Sequence, residues 1–282
     1  MDVQLVPFFI VCLLSTVYSE GSVEFCYNSP GCTPLYCNGT RQSPINIVTA
    51  DVKADNNLTS GEVFFVSGGG LQNKYKSKEF HIHWGNGSSF SGSEHTVDGK
   101  QYAMEMHIVN LRADVSVAAA NDSTAYAVLG FFIEATNDSG KPESWKNLTS
   151  FLSNIPKKGD LLDIMNQLTV DSLLEGVDRT KYYRYLGSLT TPACNEIVVW
   201  TVFKDPVKVS KDLIDLFSNT VHIDTTADPF ITNNYRILQA LNGRVVTSQP
   251  TSSANTTSSA STLHHTLSIS TALLYCVFFW CL

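Results

Sequence analysis

Between two greasy termini, apolar and polar positions alternate over short runs instead of recurring every third or fourth residue. Residues 63–66, 79–84, 104–111, 126–133 and 197–203 are rich in β-branched and aromatic side chains and bounded by Gly, Asn, Asp or Pro. That is the pattern of strands separated by turns. Helical spacing is confined to residues 144–152, 161–165 and 211–217. No internal repeat and no linker appears before residue 248. The expectation is a single mixed, β-dominated (α+β) domain over residues 20–247.

The termini read as processing signals. Residues 1–19 carry an apolar run from Leu5 through Leu14 and end in Val17, Tyr18 and Ser19. This is a secretory signal peptide, atypical in having Asp2 and no Lys or Arg; the alternative is a buried N-terminal strand. Residues 248–262 form a Ser/Thr-rich stalk, and residues 263–282 close on ALLYCVFFWCL. Even counted from Leu267, that tail falls short of the roughly 20 apolar residues of a spanning helix. It reads as a GPI signal that is removed, with Ser253, Asn255 and Ser259 as attachment candidates, against the alternative of a short transmembrane anchor. The expected location is the extracellular face of the plasma membrane, held through GPI lipid.

Composition narrows the class. The 282 residues are 43% hydrophobic and 16% charged, enough for a substantial core and unlike a disordered chain. With 19 Lys plus Arg against 26 Asp plus Glu, the net charge is −7. No basic surface is then available to displace the counterions of nucleic acid, so nucleic acid is excluded as a partner. Of the seven cysteines, Cys12 leaves with the signal peptide and Cys276 and Cys281 with the tail. Cys26, Cys32, Cys37 and Cys194 remain, enough for two disulfides in three connectivities. Loop arithmetic prefers Cys26–Cys32 with a long-range Cys37–Cys194 link. Asn38, Asn57, Asn86, Asn121, Asn137 and Asn147 head glycosylation sequons, as does Asn255 in the stalk.

The candidate chemistry lies in two of the strands. In Phe80-His81-Ile82-His83-Trp84 the alternation projects His81 and His83 from one face. His107 sits in a second such run, Met104-Glu105-Met106-His107-Ile108-Val109. Three neutral imidazoles on adjacent strands offer three tetrahedral corners and leave the fourth for water, the pattern of a catalytic zinc site. A His-X-His pair alone is more often two ordinary polar side chains; the third histidine, with Glu105 two residues before it, reverses that. Glu105 could accept the second ring proton of a ligand histidine. Glu94, Thr190 and Thr191 would by default be solvated turn residues.

The strings SPINI (43–47), HIHWG (81–85), SEHTVDG (93–99), MEMHIV (104–109), YLGSLTTP (185–192) and VVWTVF (198–203) resemble, in the same order, the α-carbonic anhydrases. With the signal peptide, the cysteines and the tail, the chain is most similar to the membrane-anchored type IV members of vertebrates. The resemblance implies a central twisted, largely antiparallel sheet with Zn2+ held by His81, His83 and His107. Its activity would be the interconversion of CO2 and bicarbonate, because zinc lowers the pKa of bound water to about 7 and hydroxide can then attack CO2. It implies that Thr190 is a gatekeeper donating to Glu94 and that Thr191 lines the bicarbonate site. Val109, Val128, Leu189, Val198 and Trp200 would form the apolar wall for CO2. Glu79, Glu105 and Asn234 would support the ligands, and bicarbonate transporters are the protein partners it implies.

The sequence departs from the family in three places, one of them the segment around Cys26 to Cys37, which is abbreviated and lacks an expected tryptophan. Glu79 stands where a glutamine is usual, two residues before the first ligand; a carboxylate accepts more strongly from His81 and should raise the pKa of the metal-bound water somewhat. The interval from Ile47 to His81 is shorter than the family pattern and lacks the histidine that relays protons to buffer. None of the seven histidines lies there, and Asn56 and Asn57 cannot titrate. The expectation is surviving zinc chemistry with slow, buffer-dependent proton export. The shortened interval could instead remove a strand and impair folding, and the alternative function is a catalytically weak, carbonic anhydrase-related binding or adhesion ectodomain.

Overall fold

Strand alternation sorts the side chains onto the two faces of one large sheet. The computed structural model describes residues 37–54, 65–119, 121–162, 164 and 167–249. Cys26, Cys32, Asn57, both terminal segments and the three attachment candidates lie outside the described residues. The strands are β1 (Asn46–Ile47), β2 (Lys53–Ala54), β3 (Phe65–Val66), β4 (Tyr75–Trp84), β5 (Thr96–Val97), β6 (Lys100–Gln101), β7 (Met104–Arg112), β8 (Tyr126–Thr136), β9 (Tyr182–Gly187), β10 (Val198–Phe203), β11 (Val207–Ser210) and β12 (Thr247–Ser248). The α-helices are α1 (Glu143–Ser150), α2 (Val170–Leu173) and α3 (Lys211–Thr220).

The main sheet has nine strands in the order β2-β12-β9-β10-β8-β7-β4-β3, with β11 also pairing with β8. Antiparallel pairing joins β3 to β4, β4 to β7, β7 to β8, β9 to β10 and β9 to β12. A parallel seam follows one edge of β8, whose first half pairs with β10 and second half with β11. The sheet is therefore mixed with an antiparallel majority. β1, β5 and β6 form a separate small sheet.

One parity of the long strands builds the main core. Phe80, Ile82, Trp84, Met106, Ile108 and Phe131 pack with Trp145 and Leu148 of α1 and with Ile214 and Phe217 of α3. The other parity forms a second cluster in which Val109, Val128, Val198 and Trp200 meet Ile45 and Ile47. A bulge in β4 sets this parity: Ser77 pairs with Asn110 and Glu79 with Val109, leaving Lys78 as the extra residue. Tyr75 then shares the main core with Phe80, and Glu79, His81 and His83 turn to the opposite face.

Helices expected at 144–152 and 211–217 are present as α1 and α3, but the described residues of 161–165 are not helical. Leu161, Leu162 and Ile164 lie in irregular chain. A stretch this short forms a helical turn only where a cap helps to offset nucleation. The helical turn forms later, at α2, where Thr169 Oγ1 caps it by accepting from Ser172 N at 3.2 Å.

Candidate metal centre

Pairing of β4 with β7 sets His81 directly opposite His107, and His83 follows on the same face. His83 Nε2 lies 3.1 Å from His107 Nδ1, which lies 3.3 Å from His81 Nε2. The three rings offer donor atoms within 4.8 Å of one another. Their outer nitrogens decide what these inner ones can do. His83 Nδ1 donates to the Asn234 carbonyl at 2.7 Å, and His107 Nε2 donates to Glu105 Oε1 at 2.9 Å. A neutral imidazole has one N–H, so both inward nitrogens carry lone pairs. Burial, with the neighbouring histidines, holds the His83 ring well below its usual range, and burial brings His107 down to about 4. Two lone pairs therefore face each other at 3.1 Å with no proton between them, an arrangement that a cation relieves. Three imidazoles suit zinc, and three protein ligands leave a fourth position open.

His81 is held less firmly. Its Nδ1 has no hydrogen-bond partner, and Glu79 Oε1 stands 3.5 Å away on a partly exposed side chain. The acceptance expected of Glu79 is thus not made as a hydrogen bond, although its carboxylate stands nearby.

A second line of contacts supports His107 from behind. Burial alone would raise the Glu105 carboxyl, but the facing His95 and His107 together hold it well below its ordinary value. Glu105 Oε1 also accepts from His95 Nδ1 at 2.8 Å and Oε2 from His95 N at 2.8 Å. With Nδ1 donating, His95 Nε2 accepts from Tyr185 Oη at 2.6 Å, and the Tyr185 oxygen accepts from Ser43 Oγ at 2.8 Å. The chain runs in one direction from Ser43 to Glu105. His95, Glu105 and His107 also group like metal ligands, but their polar atoms already satisfy one another.

Glu94 faces the same centre, with Oε2 3.5 Å from His83 Nε2 and Oε1 accepting from Arg236 N at 2.8 Å. Burial pushes its carboxyl up to about 7, against the pull of the Thr190 hydroxyl and the Arg236 N–H. Thr190 is buried and Thr191 half-buried. Val109, Val128, Val198 and Trp200 are buried on this face, with Leu189 packed against them; Trp200 meets the His107 ring edge-on at 4.8 Å. The Asn234 side chain clamps the end of β4, accepting from Trp84 N and donating to Ile82 O.

The Cys37–Cys194 disulfide forms, joining the N-terminal segment to the loop after Thr191. Asn38, Asn86, Asn121 and Asn137 are exposed, whereas Asn147 is half-buried and its Nδ2 donates to Gln167 O at 2.9 Å. Sequence reasoning assigned no role to His95, Tyr185, Ser43 or Arg236. The first three stood inside quoted motifs, and Arg236 had no local signal.

Residues 57–250 match the family described as eukaryotic-type carbonic anhydrase. The chain is 32% identical over 278 residues to carbonic anhydrase 4 of Rattus norvegicus, covering 84% of this chain and 89% of that protein. It is 35% identical over 237 residues to carbonic anhydrase 4 of Oryctolagus cuniculus, covering 74% and 76%. Carbonic anhydrase 12 of Homo sapiens is 33% identical over 242 residues, covering 74% and 67%.

Proposed function

The chain belongs to the eukaryotic-type carbonic anhydrase family, zinc-dependent enzymes whose general reaction is the hydration of CO2, and from that premise we propose a zinc carbonic anhydrase of the extracellular membrane surface with slow proton export. His81 Nε2, His83 Nε2 and His107 Nδ1 would hold the metal. The observation that carries this is the convergence of inward lone pairs whose tautomers are fixed from outside by Asn234 O and Glu105. When bound, zinc supplies a Lewis acid that makes water nucleophilic near neutrality.

The remaining steps belong to side chains. Thr190 and Arg236 N–H work against the upward push of burial on Glu94, and a dication held by the three histidines would add to their pull toward the ionised carboxylate. An ionised carboxylate only accepts, so the Thr190 hydroxyl donates to Glu94 and keeps its own lone pairs for the attacking water. That fixes which way the nucleophile's remaining lone pair points. The Thr190 backbone N–H and Thr191 would hold the product anion. CO2 carries no charge, and the wall of Val109, Val128, Leu189, Val198 and Trp200 gives it an apolar surface in place of hydration.

Membrane attachment rests on the terminal tail ALLYCVFFWCL behind a Ser/Thr-rich stalk. Among the described residues no helix is long and apolar enough to cross a membrane. Bicarbonate transporters are natural neighbours for such an enzyme. The second reading, a weakly active binding ectodomain, is favoured by one observation: no histidine occurs in residues 48–80.

The test is zinc content together with sulfonamide-sensitive CO2 hydration of the secreted ectodomain. Stoichiometric zinc with inhibitable turnover supports the enzyme; zinc without turnover in any buffer supports the binding module. Release of the full chain from cells by a phosphatidylinositol-specific phospholipase tests the anchor separately, and retention after treatment overturns it.

A further inference from the structure

One irregular strip, residues 233–236, touches two parts of the site at once. Asn233 adopts φ 56°, a left-handed conformation that asparagine tolerates well. The strip then runs along the end of β4, where Asn233 N and Asn234 N donate to Gly85 O and Trp84 O at 3.4 and 3.3 Å. From there the Asn234 carbonyl fixes the tautomer of His83, and two residues on Arg236 N meets Glu94 Oε1. Both contacts come from backbone atoms, so no side chain of the strip can be tuned to keep them. The placement of the strip itself must be secured.

The Arg236 side chain does this from within the protein, at 4% exposure. Its Nη1 donates to Gln42 Oε1 and to Ser43 O, both at 2.9 Å, and its Nη2 to Cys37 O at 3.4 Å. A planar fork with several donors can hold three acceptors of one segment in fixed geometry, which an ammonium point charge cannot. We infer that Arg236 is a positioning residue for the metal centre: its guanidinium pins the strip 233–236 to the N-terminal segment and thereby orients His83 and Glu94 together. The inference rests on the reading of His81, His83 and His107 as zinc ligands.

Arg244 provides the control. It also grips the N-terminal segment, with Nη2 donating to Gln42 O at 2.7 Å, and reaches Leu186 O, Ala240 O and Leu241 O. None of those contacts touches the strip 233–236, His83 or Glu94. A structural role alone predicts that both arginines act alike.

The experiment measures zinc affinity, by competition with a chromophoric chelator, and melting temperature for wild type, Arg236→Lys, Gln42→Leu and Arg244→Lys. Outer contacts to metal ligands are generally worth about 10–100-fold in metal affinity, so Arg236→Lys should weaken zinc binding about tenfold or more. Gln42→Leu, which removes one acceptor of the fork, should weaken it several-fold. Arg244→Lys should lower the melting temperature yet leave zinc affinity within about twofold of wild type, well short of the 10–100-fold loss expected of a ligand-orienting contact. Zinc affinity unchanged in Arg236→Lys, or weakened equally in Arg244→Lys, overturns the inference. If Arg236→Lys yields no folded protein, Gln42→Leu decides, and unchanged zinc affinity there overturns it. A wild type that binds no zinc overturns the reading of the metal centre and the inference with it.

Discussion

Glu105 shows how much one buried residue can organise. Its two oxygens accept from His107 Nε2, His95 Nδ1 and His95 N, all at 2.8 to 2.9 Å. Glu105→Gln keeps the shape but loses the charge and places an amide donor against donors. Zinc affinity is expected to fall about 10–100-fold, read by chelator competition, and an unchanged affinity would show that His107 needs no charged partner. Tyr185 makes a different prediction. Burial raises its hydroxyl well above the ordinary value near 10, so above pH 10 the unfolded chain releases a proton that the folded one keeps. Stability then falls as pH rises, by about 1.4 kcal/mol per pH unit for one proton. Tyr185→Phe should flatten the alkaline limb of a denaturation-versus-pH series while costing about 1–3 kcal/mol at neutrality for the stranded His95 acceptor. An equally steep limb in the variant would assign the effect to Tyr75, Tyr126 and Tyr183, which are raised less. The three clustered histidines were legible in the sequence because period-two spacing and an unusual residue type coincide. Arg236 and Tyr185 were not, because their partners lie far away in sequence, at residues 42–43, 94 and 95.

At the scale of elements, the site depends on two strands carrying opposite loads on their two faces. Met104, Met106 and Ile108 of β7 enter the main core while Glu105, His107 and Val109 face the metal centre. Alternation announced this division for β4, β7, β8 and β10. It did not announce the Lys78 bulge, which resets the parity of β4 and depends on the pairing partner. Nor did it exclude a helix at 161–165, where local spacing favours one but Leu162 and Ile164 reach the main core from irregular chain. Gly130 of β8 lies opposite His107 in the ladder. A Cβ there would stand 3.1 Å from Glu105 Oε1 and 3.7 Å from His107 Cδ2. Glycine inside a strand often marks such a close approach. Gly130→Ala is expected to push Glu105 off His107 and weaken zinc binding, by up to the lower end of the 10–100-fold range for outer contacts, about tenfold. The alanine variant should keep its strand content by circular dichroism. Wild-type zinc affinity in that variant would mean that the carboxylate moves aside without consequence.

For the whole molecule, the decisive feature is where histidines are and are not. His81, His83, His95 and His107 are buried at the centre, and His222 sits apart, its Nδ1 donating to Asp228 O. His264 and His265 lie outside the described residues, and residues 48–80 contain none. Among the described residues that interval supplies the two-residue strands β2 and β3, at opposite edges of the main sheet, and the first half of β4. The sheet between them is continuous, so the short interval leaves the platform for the histidines in place. Each turnover must nevertheless release a proton from a buried centre, and only a group titrating near neutrality can both take and return it. In the proposed function that task falls to dissolved buffer, since the interval offers no histidine. Because positioned acid–base groups contribute roughly 10²–10⁴-fold, turnover in dilute buffer is expected at least about tenfold below that in ~50 mM imidazole. Potassium chloride at matched ionic strength should give no such rise, and kcat/KM, which reports the attack on CO2 before proton export, should stay constant throughout. A high turnover indifferent to imidazole in stopped-flow hydration would show that the centre drains its proton by another route and would remove the case for slow export.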